Sequence, residues 1–175
     1  EDKNPNVNWI ENYDGYGLVA SDINNLEIKA EASVTILSRS EYSYVLSFES
    51  SQNISIEGII FGHKTQSICA GGVLSFYKCD NVSVIKSELY GSGIEGLYLE
   101  SVNGFVFQDS VIRECTYDFM TIISSSELLF KNAEFVNNVI YDYSDFIILD
   151  VVANATFDNV LIKNNGHNIE YDDIA

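Results

Sequence analysis

Apolar residues recur along this chain at one fixed set of offsets. Around each of five anchor residues, the positions eight and six before it, the anchor itself, and the positions two and seven after it are all hydrophobic. Successive anchors are 23 to 28 residues apart, which is the spacing of stacked repeats. The five sets are Leu46, Phe48, Ile54, Ile56, Phe61; Leu74, Phe76, Val82, Val84, Leu89; Leu97, Leu99, Phe105, Phe107, Ile112; Met120, Ile122, Leu128, Phe130, Phe135; and Ile147, Leu149, Ala155, Phe157, Ile162. A sixth, incomplete set surrounds Leu26.

The spacing within each set predicts strands and not helices. Two pairs of apolar residues in every set are separated by a single residue, as expected when one face of a strand points into a core. No stretch places apolar residues three and four apart over the length of a helix. A residue that adopts positive φ at low cost precedes all but one of the anchors, namely Asn25, Asn53, Asn81, Gly104 and Asn154, and Glu127 is the exception. The sequence therefore predicts an all-β chain of about six rungs, with three short parallel strands in each.

Two segments carry a resemblance to a known family. Residues 53–61 (NISIEGIIF) and 96–101 (GLYLES) resemble the carbohydrate-binding and sugar-hydrolase type repeats of right-handed parallel β-helix proteins, in the pectin-lyase-like superfamily. The resemblance covers roughly residues 17–165 and implies a right-handed, single-stranded parallel β-helix. Because the superfamily includes lyases, hydrolases, epimerases, adhesins and accessory proteins, it implies a fold without selecting an activity.

The pattern divides the chain into two parts. Residues 1–16 are expected to form an irregular N-terminal lid or incomplete cap, and residues 17–175 the β-helix itself. Since the core of every rung has constant length, all variation in length falls at one corner. Loops on a rigid scaffold usually carry the binding surface, so we expect one functional ridge along one side. The predicted corner loops are 34–45, 62–73, 90–96, 113–119 and 136–146.

The corner loops are rich in tyrosine and in carboxylates. A tyrosine ring can stack on the apolar face of a sugar while carboxylates bond its hydroxyl groups, although a protein partner can use the same groups. Our leading hypothesis is a non-catalytic recognition or structural module that binds a glycan or a protein, outside the cytoplasm (secreted, periplasmic or at the cell surface). The predicted ligand-binding residues are His63, Tyr90, Glu95, Tyr117, Asp118, Tyr141, Asp142 and Tyr143.

The alternative hypothesis is a polysaccharide lyase or glycoside hydrolase. Glu114 or Asp118 could pair with Asp142 or Asp145 on the next rung, since glycosidases need carboxyl groups about 5 to 9.5 Å apart and rungs are about 4.8 Å apart. Pectate-lyase-like members of the resembled superfamily use calcium and a basic residue, and Arg113 flanks Glu114 and Asp118. Calcium is thus the one cofactor considered. No metal site is predicted from the spacing of histidines and cysteines.

The net charge of −17, from 26 acidic against 9 basic residues, argues against nucleic-acid and anionic-membrane partners, because both need a basic footprint. It leaves a third hypothesis, an acidic module that mimics another acidic molecule. No apolar run is long enough to cross a membrane. After Ile162 the sequence reads as a partial coil, which predicts either end-to-end association or a piece of a larger chain.

Overall fold

The computed structural model describes residues 5–64, 70–140 and 145–167. These residues contain strands, turns and bends but no helix, so the described part of the chain has no helix that could span a membrane. The strands are β1 (Val7–Asn12), β2 (Gly15–Ser21), β3 (Asn24–Ser38), β4 (Leu46–Glu49), β5 (Gln52–His63), β6 (Leu74–Tyr77), β7 (Asp80–Ile85), β8 (Glu88–Tyr90), β9 (Leu97–Glu100), β10 (Asn103–Gln108), β11 (Val111–Arg113), β12 (Met120–Ile123), β13 (Ser126–Lys131), β14 (Glu134–Val136), β15 (Val139–Ile140), β16 (Ile147–Asp150), β17 (Ala153–Asp158), β18 (Leu161–Lys163) and β19 (Gly166–His167).

Two sheets run the length of the described molecule. Sheet A has the order β1-β2-β4-β6-β9-β12-β16, and sheet B has the order β17-β13-β10-β7-β5-β8-β11-β14-β18 with β3 beside β5. Every pairing in them is parallel except that of β1 with β2. From β2 to β16, the chain passes through sheet A six times in five turns. The predicted all-β parallel solenoid is therefore confirmed, while its right-handed sense stays a prediction.

The register explains why the apolar offsets are constant. Val82 pairs with Ile54 on one side and with Phe105 on the other, so equivalent positions lie above one another in successive layers. In the four complete sets from Leu46 to Phe135, every predicted inward position is buried. The rings stack along the interior, with centroids 5.4 Å apart for Phe48 and Phe76. The hydrophobic repeat is thus the core of the solenoid, read once per layer.

The predicted bends before the anchor residues are confirmed, including the one at Glu127, which is neither asparagine nor glycine. The residues before the anchors all have positive φ, and Glu127, at 56°, has the same conformation as Asn53, at 55°. A left-handed conformation costs a glutamate about 1 kcal/mol or more, and the pairing of the adjacent layers imposes it. Side-chain amides also stack at this bend, since Asn81 Nδ2 donates to Asn53 Oδ1 at 3.2 Å.

The two ends of the solenoid differ from its middle. The sequence predicts an irregular lid before residue 17; instead, β1 is a regular strand, because its backbone pairs antiparallel with β2. The first corner loop begins later than predicted, since residues up to Ser38 pair within β3 and β5. In the layer of β16, β17 and β18, no described strand covers the outer edge, and Phe157 and Ile162 are 41% and 60% exposed. End-to-end association stays a prediction.

Candidate functional site

One column of residues lies at the corner where the chain enters sheet A. Its members are the residues ten positions before each anchor. Backbone hydrogen bonds join the neighbouring layers here, from Val45 N to the Gly72 carbonyl at 3.1 Å and from Val73 N to the Glu95 carbonyl at 2.9 Å. The column contains three successive carboxylates, two of which the sequence analysis predicts to bind ligand. From the first layer to the last it is Tyr16, Tyr44, Gly72, Glu95, Asp118 and Asp145.

Tyr44 bridges two layers of this column. Its ring lies over Gly72, where a Cβ would be only 2.1 Å from Tyr44 Cε1. The hydroxyl then donates to Glu95 Oε2 at 3.0 Å. Tyr98 of β9 lies beside it, with ring centroids 6.4 Å apart. Burial, together with the charge of Glu95, raises the pKa of Tyr44, so the phenol remains a donor at neutral pH.

Two carboxyl groups of the column, those of Glu95 and Asp118, have raised pKa values. Burial raises the pKa of Glu95; the Tyr44 hydrogen bond opposes this rise and the charge of Asp118 adds to it. Burial also raises the pKa of Asp118, opposed by the backbone N–H of Asp145, which donates to Oδ1 at 2.9 Å, and reinforced by the Asp145 charge. Neighbouring carboxyl groups of this kind can accept hydroxyl donors or exchange a proton. Asp142, the other predicted partner of Asp118, lies outside the described residues.

The outward side of sheet A adds residues that the sequence analysis did not single out. They alternate with core positions in β4, β6 and β9. Glu49, Tyr77 and Glu100 form one row across these strands. Tyr98 donates to Glu100 Oε2 at 2.5 Å, and burial raises the pKa of Tyr98 to about 12. Offsets of five and seven before each anchor would have found these residues. We call the following set the tyrosine–carboxylate face: Tyr44, Glu49, Tyr77, Glu95, Tyr98 and Glu100.

An open groove of about 450 Å³ lies at the N-terminal end of this face. Its floor is formed by β1, β2 and β4, and residues 42–44 form its wall. Asn12 Nδ2 donates to Ser43 Oγ and thereby ties β1 to the wall. No repeat extends into β1, so the sequence pattern gives no signal for its asparagines. The polar and aromatic lining residues include Asn8, Asn12, Tyr42, Tyr44, Ser47 and Glu49.

A second cluster occupies the sheet B side of the corner loops. The guanidinium of Arg113 lies over Tyr90, with 4.6 Å from Cζ to the ring centroid. Its nitrogens pair with Glu88 Oε1 and Glu114 Oε2, each at 2.5 Å. The Tyr90 ring in turn lies over Gly62, where a Cβ would be 2.3 Å from it. Arg113, Glu114 and Tyr90, all predicted site residues, are therefore engaged with one another.

The remaining predicted residues are dispersed. His63 is only 2% exposed and its Nε2 lies 2.8 Å from the Gly72 carbonyl, so it connects the two ends of its own corner loop. His63 is therefore buried within its loop, and its role in ligand binding stays a prediction. Tyr117 is 45% exposed in its corner loop. Tyr141 and Tyr143 lie outside the described residues.

The part of the chain that the structure describes contains no preformed metal site. There, no group of three or more His, Cys, Asp or Glu side chains is arranged to hold an ion. The calcium hypothesis depends in part on Asp142, which is not among these residues, and it stays a prediction.

Comparison with known proteins assigns neither a family nor an activity to this chain. No protein-family model matches the sequence, and no curated protein matches it. A crystal structure of pectin methylesterase in complex with a hexasaccharide is similar at 15% identity and a TM-score of 0.48, over 83% of this chain. This chain spans 55% of the length of that one. A candidate glycosyl hydrolase from Parabacteroides merdae ATCC 43184 is similar at 10% identity and a TM-score of 0.45, over 86% of this chain and 78% of that chain. Similarity this distant transfers no activity, and function has to be argued from the site.

Proposed function

We propose that this protein is a non-catalytic glycan-binding module whose ligand lies in the groove and along the tyrosine–carboxylate face. The observation that carries this proposal is the composition of the groove, where Tyr42 and Tyr44 stand beside the amide of Asn12 and the carboxylate of Glu49. Tyr42 is 52% exposed, so its ring is accessible to a ligand. A pyranose ring offers an apolar face for stacking and hydroxyl groups for amides and carboxylates. The volume falls in the range of small-ligand sites.

The wall of the groove is held in place before any ligand arrives. Ser40 Oγ donates to Asp14 Oδ1 at 2.8 Å and approaches Ser43 Oγ at 2.9 Å. Tyr42 packs edge-on against Tyr13, with ring centroids 5.7 Å apart. A preformed wall reduces the entropy lost on binding, which supports a recognition role. A glycan ligand also agrees with the extracytoplasmic location that the sequence analysis predicts.

Calorimetric titration with neutral oligosaccharides tests the proposal. We expect Tyr42→Ala to weaken binding by about fivefold or more, because one stacking ring contributes on the order of 1 kcal/mol or more. Tyr117→Ala is the matched control, since Tyr117 is similarly exposed but does not line the groove. Circular dichroism checks that both variants fold. Equal affinities of Tyr42→Ala and the unmodified protein for every sugar that binds would refute the assignment of the groove.

The same set of oligosaccharides distinguishes a catalytic role from a binding role. The raised pKa values of Glu95 and Asp118 favour this second candidate, a lyase or hydrolase, because acid–base pairs in glycoside hydrolysis need such tuning. A binding module leaves the oligosaccharides intact after long incubation. New reducing or unsaturated ends that disappear in Asp118→Asn, but persist in Glu134→Gln, would make the protein an enzyme.

A further inference from the structure

The groove and the tyrosine–carboxylate face carry more carboxylates than cations among the described residues. The described residues that line the groove include Glu49 but no lysine or arginine. Further along the face, Glu100 and Glu95 add two carboxyl groups. Lys78 is the described basic residue that borders this face, and its Nζ lies 4.7 Å from the centroid of Tyr77. A ligand on this surface therefore meets an excess of carboxylates.

Most cations elsewhere in the described molecule are already matched by carboxylates. Lys29 and Lys86 both pair with Glu57, at 2.8 and 3.1 Å. Lys131 lies 3.8 Å from Asp158. Arg113 is held by two glutamates on the other side of the corner loops. None of these pairs involves a residue that lines the groove, so none places a cation where a ligand carboxylate could reach it.

We propose that this site discriminates saccharides by charge: it rejects acidic sugars, accepts neutral sugars and prefers amino sugars. The inference rests on the proposed function and deepens it. An ammonium group beside Glu49 can form a charge-assisted hydrogen bond and interact with a tyrosine face. A uronate in the same position meets no lysine or arginine among the described residues that line the groove, and the carboxylate of Glu49 repels it.

The carboxylates of the face can act on more than one sugar unit of an oligosaccharide. Glu49 and Glu100 occupy equivalent positions two layers apart, with Tyr77 between them. Layers are about 4.8 Å apart, so the two carboxylates are separated by about 10 Å along the axis. An oligosaccharide lying along the face meets both, and the charge preference should grow with its length.

Three hexasaccharides with one backbone provide the test: β-1,4-linked glucosamine, glucose and glucuronic acid. Titrations are run at mildly acidic pH, where the amine is protonated. We expect the glucosamine hexamer to bind at least about tenfold more tightly than the glucuronic acid hexamer, with glucose between them and a smaller spread at high salt. Glu49→Gln should reduce the spread several-fold. Glu134→Gln is the matched control, because Glu134 is an exposed glutamate on sheet B.

The outcomes separate this inference from the proposed function. If the glucose hexamer binds but the three affinities are equal, the charge selectivity is wrong and glycan binding stands. If no hexamer binds, both are overturned. A preference that persists unchanged in Tyr42→Ala and in Glu49→Gln would come from the net charge of the whole protein, and would overturn the assignment to this site.

Discussion

On both sides of the corner loops a tyrosine ring lies over a glycine of the neighbouring layer, but a cation lies beside one tyrosine and a carboxylate beside the other. On the sheet B side, the ring of Tyr90 lies over Gly62; on the sheet A side, the ring of Tyr44 lies over Gly72. In both cases a glycine in the neighbouring layer leaves the space that a tyrosine fills. The difference lies in what each tyrosine meets next.

Tyr90 meets a cation whose charge is matched. Arg113 covers the ring and pairs with two glutamates, so this side is a closed structural cluster. Tyr44 meets Glu95, which stands in a column with further carboxylates and has a raised pKa. Stacked like charges reduce stability, and such groups are commonly retained where a ligand compensates them. We infer that the sheet B side of the corner stabilises the solenoid, and we propose that the sheet A side binds the ligand.

The largest effect is expected from the two glycines. Gly62→Ala and Gly72→Ala should each lower the free energy of unfolding by about 2 kcal/mol, because the new methyl group overlaps a tyrosine ring. Only Gly72→Ala should also weaken oligosaccharide binding, since it displaces Tyr44 from the groove wall. Urea unfolding and calorimetric titration measure the two quantities. An equal loss of affinity in both variants would show that the two sides are not functionally distinct.

Removing the matched cation should have the next largest effect. Arg113→Ala leaves two partly buried glutamates without their partner and should cost about 1.5 kcal/mol of unfolding free energy. Arg113→Lys should lose less, because it keeps the charge but not the two-sided fork. Lys163→Ala, at the equivalent position two layers on, should change stability by no more than about 0.5 kcal/mol. A neutral result for Arg113→Ala would mean that this cluster is not structural.

The hydroxyl of Tyr44 should contribute less. Tyr44→Phe removes the donor to Glu95 and should lower the unfolding free energy by about 1 kcal/mol. Tyr42→Phe is the control, since that ring is half exposed. Chemical denaturation compares the two. Equal stability of both variants would show that the bridge across Gly72 is made by ring packing alone.

The smallest effect concerns pH. Because the pKa values of Glu95 and Asp118 are raised in the folded protein, these groups hold protons that the unfolded chain releases. Their contribution to stability is present in acid and is lost as pH rises from the ordinary carboxyl range through their folded pKa values. Glu95→Gln and Asp118→Asn should therefore lose less stability than the unmodified protein over that rise, with Tm differences of no more than about 2 °C.

A carboxylate of opposite behaviour controls the pH experiment. Hydrogen bonds from Asn132 and Gln108 lower the pKa of Asp109, so its contribution is present above the ordinary aspartate pKa and is lost as pH falls. Asp109→Asn should accordingly flatten the acid side of the stability profile. If the stability of all three variants equals that of the unmodified protein at every pH, the carboxylates of the column do not contribute to its pH dependence.

The fold could be predicted from the sequence because each layer repeats the same local requirement. An inward residue such as Phe107 must pack between its equivalents above and below, so the pattern is written once per turn. Glu127 shows how strong this constraint is, since it bends like the asparagines at equivalent positions. The strand β1 at the N-terminal edge could not be predicted in this way, because among the described strands it pairs only with β2, in the antiparallel direction, and its residues do not follow the repeat.

The site could be predicted only in part. The constant core length of each rung directs attention to the corner loops, and the charge of Asp118 does act on Glu95 there. Histidine is a polar residue that is expected at the surface of a loop, but His63 is buried and its ring contacts the Gly72 carbonyl of the same loop. Asn8 and Asn12 reach the groove only because the chain folds back before the first rung.

The sequence by itself determined the solenoid, its register and the corner at which the rungs vary in length, because those follow from a short-range pattern repeated in every layer. Only the tertiary structure decided which side chains of that corner meet. Tyr44 and Glu95 are 51 residues apart and contact each other across an intervening layer. That contact depends on a glycine leaving room between them, and on how side chains separated by whole turns of the chain share one surface.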